Sequence, residues 1–271
     1  NYGLEQAHGK YVSLLHQDDV WMPGRVERLR RAAARYPDVD LFLHPSWFIN
    51  SRGDRVGAWT CPLPRHGRPL PPERVLPRLL VQNFVGMPAP FFKRQAALAA
   101  GPMDEQLWFT ADWKLWLALV SRGPVVYLPD MLAGFRIHPA SQTMVGSKKP
   151  QETSRQTRRM LDEAFPKAAK MGIDIRRVER IAKVNIELTA ILAARVHGQP
   201  VRWSGMIGRF LRLGPAGWYT FFRDTRIIQR ALARWRAGLL DRPPPDPCPA
   251  TQPNWRQSDG FLFRLFLTDQ R

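Results

Sequence analysis

Two adjacent carboxylates, Asp18 and Asp19, follow a short apolar run over residues 11–15. Neighbouring carboxylates repel each other, so their ionised forms are favoured when a cation lies beside them. Mg²⁺ and Mn²⁺ are commonly held by one or two protein carboxylates together with substrate phosphate oxygens. The pair therefore indicates a platform for a metal ion and a diphosphate. The alternative is a solvated turn in which one aspartate caps the following helix, and the pair taken alone favours that alternative.

Asp112 is the second candidate, near the start of a helix predicted over residues 111–122 with Thr110 as its N-cap. A carboxylate in the first turn, beside a packed aromatic face, can act as a general base. Ordinary complementation of the helix dipole is the alternative and, for Asp112 in isolation, the better explanation. The stripe that contains Trp113 and Trp116 is predicted to be core.

Arg136 and His138 form the third candidate, at the end of a strand predicted over residues 132–137. Strand alternation places Phe135 and Ile137 on one face and the arginine and histidine on the other. Arginine can contact phosphate oxygens, and histidine can ligate a metal or protonate a leaving group. The alternatives are a structural histidine with satisfied hydrogen bonds and a solvated edge arginine.

The elements that would position these groups alternate between strands and helices up to residue 147. Strands are predicted at 11–15, 39–44, 125–128 and 132–137, helices at 23–36, 72–82 and 111–122, and a hairpin at 47–59. The apolar run 11–15 is predicted to belong to a parallel sheet. Residues 84–92, interrupted by Pro88 and Pro90, are predicted to be an edge strand or a loop. The alternation predicts an α/β fold with a Rossmann-like mixed sheet flanked by helices.

The rest of the chain is predicted to be a helical basic region over 148–240, then a Pro-rich linker and aromatic tail over 241–271. Residues 218–235 are predicted to form one helix with arginines on one face and large apolar side chains on another. The arginines are Arg223, Arg226, Arg230 and Arg234, and the apolar residues are Phe221, Ile228, Leu232 and Trp235. This pattern is typical of a helix in a membrane interface. A helix packed on the domain with solvated arginines is an equally weighted alternative.

The net charge of the chain indicates what kind of molecule it binds. The 271 residues carry 41 Lys and Arg against 23 Asp and Glu, a formal net charge of +18. A chain this basic is expected to meet an anion, which is a nucleic acid, a membrane surface or a phosphate-bearing substrate. Two cysteines exclude a disulfide scaffold and a four-cysteine zinc site. No apolar run approaches the length of a membrane-spanning helix.

Taken together and in this order, the motifs resemble those of the bacterial family 2 glycosyltransferases, which have the GT-A fold. The resemblance covers residues 1–147, which we interpret as a partial GT-A-like domain. The matching segments are Asn1-Tyr2-Gly3, Ala7-His8-Gly9-Lys10-Tyr11-Val12, Leu15-His16-Gln17-Asp18-Asp19, Ala100-Gly101-Pro102-Met103-Asp104-Glu105, Thr110-Ala111-Asp112-Trp113, and Phe135-Arg136-Ile137-His138 with Ser141 and Thr143.

The resemblance implies a role for each candidate residue. Asp18, with Asp19 beside it, falls where the family binds the metal and the donor diphosphate. Asp112 falls where the catalytic base takes a proton from the acceptor hydroxyl. Arg136 and His138 fall where the closing segment meets the diphosphate or the metal. The expected cofactor is a divalent metal, Mn or Mg, with Asp18, His138 and His16 as the expected metal ligands.

The implied reaction is an inverting transfer of a sugar from a nucleotide-diphospho-sugar donor. The expected acceptor is a glycan or a lipid-linked molecule in cell-surface polysaccharide synthesis. Because such acceptors lie at membranes, we expect a cytoplasmic protein that is peripheral on the inner face of the bacterial cytoplasmic membrane, through its C-terminal basic helix. No nucleic acid partner is expected, since no helix-turn-helix, zinc-finger or RNA-binding signature is present.

Three departures from the family pattern qualify this hypothesis. His16 replaces the first Asp of the metal motif, and imidazole suits Mn²⁺ better than Mg²⁺. Ala111 replaces the Glu that usually precedes the base. The nucleoside-binding half of the family lies upstream of the segment that begins at Asn1, so we expect this sequence to be a piece of a longer chain. The rival hypotheses are a non-enzymatic basic protein that binds nucleic acid or membranes, and a degenerate transferase.

Overall fold

The computed structural model describes residues 1–101, 103–138 and 142–240, and its strands form two sheets. The strands are β1 (Tyr11–Ser13), β2 (Val20–Trp21), β3 (Leu41–Leu43), β4 (Ser46–Ile49), β5 (Arg55–Trp59), β6 (Pro69–Leu70), β7 (Phe91–Lys93), β8 (Val125–Tyr127) and β9 (Ala133–Arg136). One sheet has the order β1-β7-β3-β8-β6 and the other has the order β2-β9-β4-β5. Both mix parallel and antiparallel pairs.

Helices flank the sheets and make up the described C-terminal region. They are α1 (Tyr2–Gln6), α2 (Arg25–Arg35), α3 (Pro72–Val81), α4 (Arg94–Ala100), α5 (Ala111–Arg122), α6 (Gln142–Ser147), α7 (Pro150–Lys170), α8 (Ile175–Val196), α9 (Ser204–Leu211), α10 (Gly214–Thr225) and α11 (Ile227–Leu240). The predicted α/β fold followed by a helical region is confirmed. The predicted linker and tail over 241–271 lie outside the described residues, and the predicted division at residue 147 stays a prediction.

The first sheet lies between two apolar cores. Leu41 and Leu43 on β3 face the larger core, which includes Trp116 of α5. Phe42, between them in the chain, faces the smaller core with Leu29 of α2. Alternate residues of a strand point to opposite faces of a sheet, so an uninterrupted apolar strand is what a doubly covered sheet requires.

The second sheet places β9 between β2 and β4. Gly134 makes this possible, because a Cβ at that position would lie 2.8 Å from Val20 Cγ2 and 3.0 Å from Ile49 Cδ1. The alternation predicted for β9 is confirmed: Phe135 and Ile137 pack with Phe48 in a small core. Arg136 consequently points away from that core, toward the turn that follows β1.

One prediction about the first sheet was wrong in part and another was wrong. Residues 84–90 form a loop, which is one of the two predicted alternatives, but Phe91 and Phe92 belong to β7, which lies in the interior of the sheet between β1 and β3 rather than at its edge. Pro88 and Pro90 precede this strand and leave every residue of β7 with a backbone N–H for pairing. The other error concerns β1, which is an edge strand that pairs antiparallel with β7 rather than a member of a parallel pair.

The single helix predicted over 218–235 is two helices, which meet at Arg226 in a left-handed conformation with φ 50°. Packing also differs from the predicted faces. Ala233 approaches β5 so closely that a Cβ on Gly57 would lie 3.1 Å from its Cβ. Small residues therefore form the contact face of α11, while Trp235 stays exposed. No helix in the described part of the chain is both long and apolar enough to cross a lipid bilayer.

Candidate metal and diphosphate site

The turn between β1 and β2 carries three possible metal ligands. His16, Asp18 and Asp19 each offer one donor atom, and these atoms all lie within 4.8 Å of one another. One nitrogen and two carboxylate oxygens form a donor set that suits Mn²⁺ and tolerates Mg²⁺. This set contains Asp19, which was not among the predicted metal ligands. His138, which was predicted to be a ligand, contacts Asp18 instead.

Asp19 is the most constrained of the three. Its side chain is buried, and Oδ1 accepts a hydrogen bond of 2.9 Å from the backbone N–H of Arg136. Its other oxygen, Oδ2, is buried without a hydrogen-bond partner among the described residues. Burial, with a smaller contribution from Asp18, raises the pKa of this carboxyl to about 7. A bound cation would satisfy the unpartnered oxygen and favour the ionised form, so the residues present fit a divalent metal.

The end of β9 closes over this turn. His138 Nε2 lies 3.0 Å from Asp18 Oδ2. The Arg136 guanidinium donates to the Asp18 carbonyl at 2.7 Å and to the carbonyls of Asn50 and Ser51 at 2.6 and 2.9 Å. Arg136 therefore ties the acidic turn to the β4–β5 hairpin and holds a positive charge beside the two aspartates.

A buried arginine, which was not predicted to be important, forms hydrogen bonds next to the site. Arg25 is 2% exposed, and its guanidinium donates to Ser13 Oγ at 2.6 Å, to the Pro88 carbonyl at 3.0 Å and to His44 Nε2 at 3.0 Å. Its guanidinium carbon also lies 4.4 Å from the ring centroid of Trp21. Burial lowers the pKa of Arg25 to about 9, which leaves it charged at neutral pH.

The tautomer of His44 follows from these contacts. Nε2 accepts from Arg25, so the proton is on Nδ1, which lies 2.9 Å from the Pro45 carbonyl. Burial and the neighbouring Arg25 charge lower the pKa of His44 to about 3. Arg25 is therefore charged and His44 neutral. The hydrogen bonds of Arg25 hold β1 against the loop before β7.

Asp112 lies in the first turn of α5, as predicted, and is partly buried. Asn83 Nδ2 donates to its Oδ2 at 3.1 Å. Burial raises the pKa of Asp112 to about 6, while the Trp113 backbone N–H and the Asn83 amide, which favour the ionised carboxylate, lower it. Thr110 takes the N-cap position without a side-chain cap hydrogen bond.

The loop of residues 83–90 contacts Asp112 at one end and Arg25 at the other. Asn83 at one end of the loop holds Asp112, and the carbonyls of Pro88 and Pro90 at the other end accept from Arg25. The structure therefore brings the predicted residues of the turn and β9 into direct contact, whereas the side-chain hydrogen bond to Asp112 comes from Asn83 and not from any of them. Asn83 was missed by sequence reasoning, and its only signal is an amide within an apolar stretch.

Comparison with known proteins gives distant relatives. No family model matches the chain. An uncharacterized glycosyltransferase of Rickettsia typhi is 23% identical over 146 residues, which cover 53% of this chain and 44% of the relative. Another of Rickettsia conorii is 24% identical over 163 residues, covering 55% and 24%. An uncharacterized protein of Mycobacterium tuberculosis is 31% identical over 157 residues, covering 53% and 47%.

The chain thus spans less than half the length of these curated relatives. Two of the three carry the name glycosyltransferase. The similarity supports a distant relationship between this chain and glycosyltransferases.

Proposed function

We propose that this chain is part of an inverting, metal-dependent glycosyltransferase with a family 2, GT-A-like domain. It would move a sugar from a nucleotide-diphospho-sugar to a glycan or lipid-linked acceptor in cell-surface polysaccharide synthesis. One observation carries the proposal: Asp19 Oδ2 is buried without a partner among the described residues, in a turn that also presents His16 and Asp18. The distant similarity to proteins named as glycosyltransferases supports it.

His16, Asp18 and Asp19 would hold the metal. When bound, a divalent ion neutralises charge that develops on the diphosphate leaving group. His138 orients Asp18 through the 3.0 Å contact, and Arg136 keeps the turn in place through its bond to the Asp18 carbonyl. Arg136 of β9 and His138, two residues after it, would lie beside the donor diphosphate.

Asp112 would take the proton from the acceptor hydroxyl. A carboxyl whose pKa is raised to about 6 is ionised at neutral pH and is a stronger base than an exposed aspartate. Asn83 donates to its Oδ2 and would help to fix the orientation of the carboxylate. The deprotonated hydroxyl then attacks the anomeric carbon as the bond to the diphosphate breaks, with inversion at that carbon.

Contact with the cytoplasmic face of a membrane is part of the proposal. Ile228, Leu232 and Trp235 of α11 are 60%, 45% and 63% exposed. Arg234 and Arg236, on the same helix, are also exposed. Exposed aliphatic and aromatic side chains beside arginines are typical of a helix that inserts shallowly between anionic lipids.

Titration with Mn²⁺ tests the central observation. We expect Mn²⁺ to raise the melting temperature of the parent chain and to leave Asp18→Asn and Asp19→Asn unchanged, because each variant removes one anionic donor. Asp38→Asn, a substitution of an exposed aspartate, is the matched control and should respond like the parent. Absence of any Mn²⁺ effect on the parent would contradict the metal assignment. Hydrolysis of a panel of nucleotide-diphospho-sugars then identifies the donor.

A further inference from the structure

A groove of about 940 Å³ lies between α7, α8 and the segment 200–202, away from the candidate site. Its apolar lining includes Ala190, Ile191 and Ala194 of α8 and Val201 of the segment that follows. A cavity of this size and apolar content falls within the range of small-molecule sites. The groove is open along one side, so part of a larger molecule can enter it.

The rim of the groove carries an excess of positive charge. Arg155, Arg158, Arg159 and Arg202 line it, against the acidic residues Asp162 and Glu163. Glu163 is already paired with Lys114 of α5 at 2.8 Å, and Arg155 with Glu152 at 2.5 Å. Arg158 and Arg202 are exposed and make no side-chain hydrogen bond or ion pair within the described part of the chain.

Exposed aliphatic side chains also lie on α8, the helix whose Ala190, Ile191 and Ala194 form the apolar floor of the groove. Leu192 and Val196 of α8 are 38% and 75% exposed, and they follow Ile191 and Ala194 along that helix. An anion with an apolar chain would satisfy both parts of this surface, with its charged group on the two arginines and its chain over the floor. A nucleic acid fits less well, since the described residues of the lining include no aromatic side chain on which a base could stack.

We propose that the groove between α7 and α8 binds the phosphate headgroup of a membrane lipid, with Arg158 and Arg202 on the phosphate and the adjoining part of the chain over Ile191. This site is separate from the exposed face of α11. Binding there requires no transferase activity, so the proposal stands or falls independently of the catalytic assignment.

Vesicle co-sedimentation tests the site. The probes are phosphatidylcholine vesicles with and without phosphatidic acid, and we expect binding only to the anionic vesicles. The Arg158→Gln/Arg202→Gln pair should bind roughly 30-fold more weakly, since each basic residue near an anionic surface contributes about fivefold. The matched control Arg30→Gln/Arg122→Gln removes the same charge from exposed positions of α2 and α5 and should bind like the parent. Equal losses in the two pairs would overturn the proposal.

A second pair of variants tests the groove without removing arginines. Ala190→Glu places a carboxylate on the lining, while Thr189→Glu places it on the exposed side of the same helix. We expect only the former to weaken vesicle binding. Complete loss in an Arg234→Gln/Arg236→Gln variant of α11 with no loss in the groove variants would overturn the proposal, as would full competition by millimolar inorganic phosphate, which would indicate a free-anion site.

Discussion

His138 and Asp18 lie 120 residues apart in the chain, yet the Nε2 of the histidine is 3.0 Å from the Oδ2 of the aspartate. The contact joins the segment after β9 to the turn after β1. It fixes the carboxylate of Asp18, which is one of the three possible metal ligands. A residue that orients a ligand in this way affects metal affinity without being a ligand itself.

Substitution of His138 by alanine is therefore expected to lower the affinity for Mn²⁺ by about 10-fold or more, because Asp18 loses its orienting partner. The affinity is measured by Mn²⁺ titration followed by thermal unfolding or by electron paramagnetic resonance. His8→Ala, a change at an exposed histidine, is the control. An unchanged affinity in the His138 variant would show that this contact does not prepare the site.

The candidate base gives a prediction about pH. Activity should fall as pH drops through about 6, where Asp112 takes up a proton. Asn83→Ala removes a hydrogen bond that stabilises the ionised carboxylate, so the pKa of Asp112 rises and the acidic limb of the profile moves to higher pH. Asp112→Asn should lower the turnover by about 10²-fold or more above pH 6, where the parent carboxylate is ionised.

The measurement for this prediction is the pH profile of donor turnover in the parent, Asn83→Ala and Gln106→Ala. Gln106 is an exposed amide, and its variant should keep the parent profile. A downward shift of the acidic limb in Asn83→Ala would reverse the sign of the argument and remove the asparagine from this role.

The buried Arg25 should matter chiefly for stability. Arg25→Met leaves the acceptors on Ser13, Pro88 and His44 without their donor, and unsatisfied buried groups of this kind cost about 1–3 kcal/mol each. We expect the free energy of unfolding to fall by about 3 kcal/mol or more in urea denaturation. Arg28→Met, on the same helix, removes a partly exposed ion pair with Asp130 and should cost less than about 1 kcal/mol.

His44 gives the pH dependence of stability. The folded protein keeps His44 neutral down to about pH 3, while the unfolded chain takes up a proton below the ordinary pKa of 6.5. The unfolded state therefore binds more protons between these values, and stability falls as pH decreases through that window. The stabilisation that comes from keeping His44 neutral is fully present above pH 6.5. Below that value the free energy of unfolding falls with a slope that reaches about 1.4 kcal/mol per pH unit.

His44→Gln keeps an acceptor for Arg25 and cannot titrate. Urea unfolding of the parent and the variant at a series of pH values should show stability falling more steeply in the parent as pH falls from 6.5 toward 3. The carboxylates titrate in both proteins, so the difference between the curves isolates the histidine. Parallel curves would mean that His44 takes up its proton at the same pH in the folded and unfolded states, which would contradict this prediction.

Local patterns were enough to predict α5 and the two faces of β9. The helix predicted over 111–122 has the observed bounds of α5, since its N-cap and its final Gly123 are encoded by adjacent residues. The faces of β9 followed from alternation alone, which is fixed by strand geometry. Both features depend on residues that are neighbours in the chain.

The supporting contacts could not be predicted in this way. Arg25 reaches residues that are 12, 19 and 63 positions away in sequence, and nothing local distinguishes it from the exposed arginines of the same helix. The break at Arg226 has no glycine or proline to mark it, and the close packing of Ala233 against Gly57 is a tertiary contact. Tertiary packing of this kind overrides helical periodicity.

The bond that holds Asp19 comes from the main chain of residue 136 rather than from its side chain. Alanine scanning would leave this interaction intact and would assign to position 136 only the guanidinium contacts. Proline is the one natural residue without an amide hydrogen. A proline substitution at position 136 would therefore remove this hydrogen bond, which alanine substitution leaves in place. The hydrogen bond to Asp19 is therefore independent of which side chain position 136 carries, proline excepted.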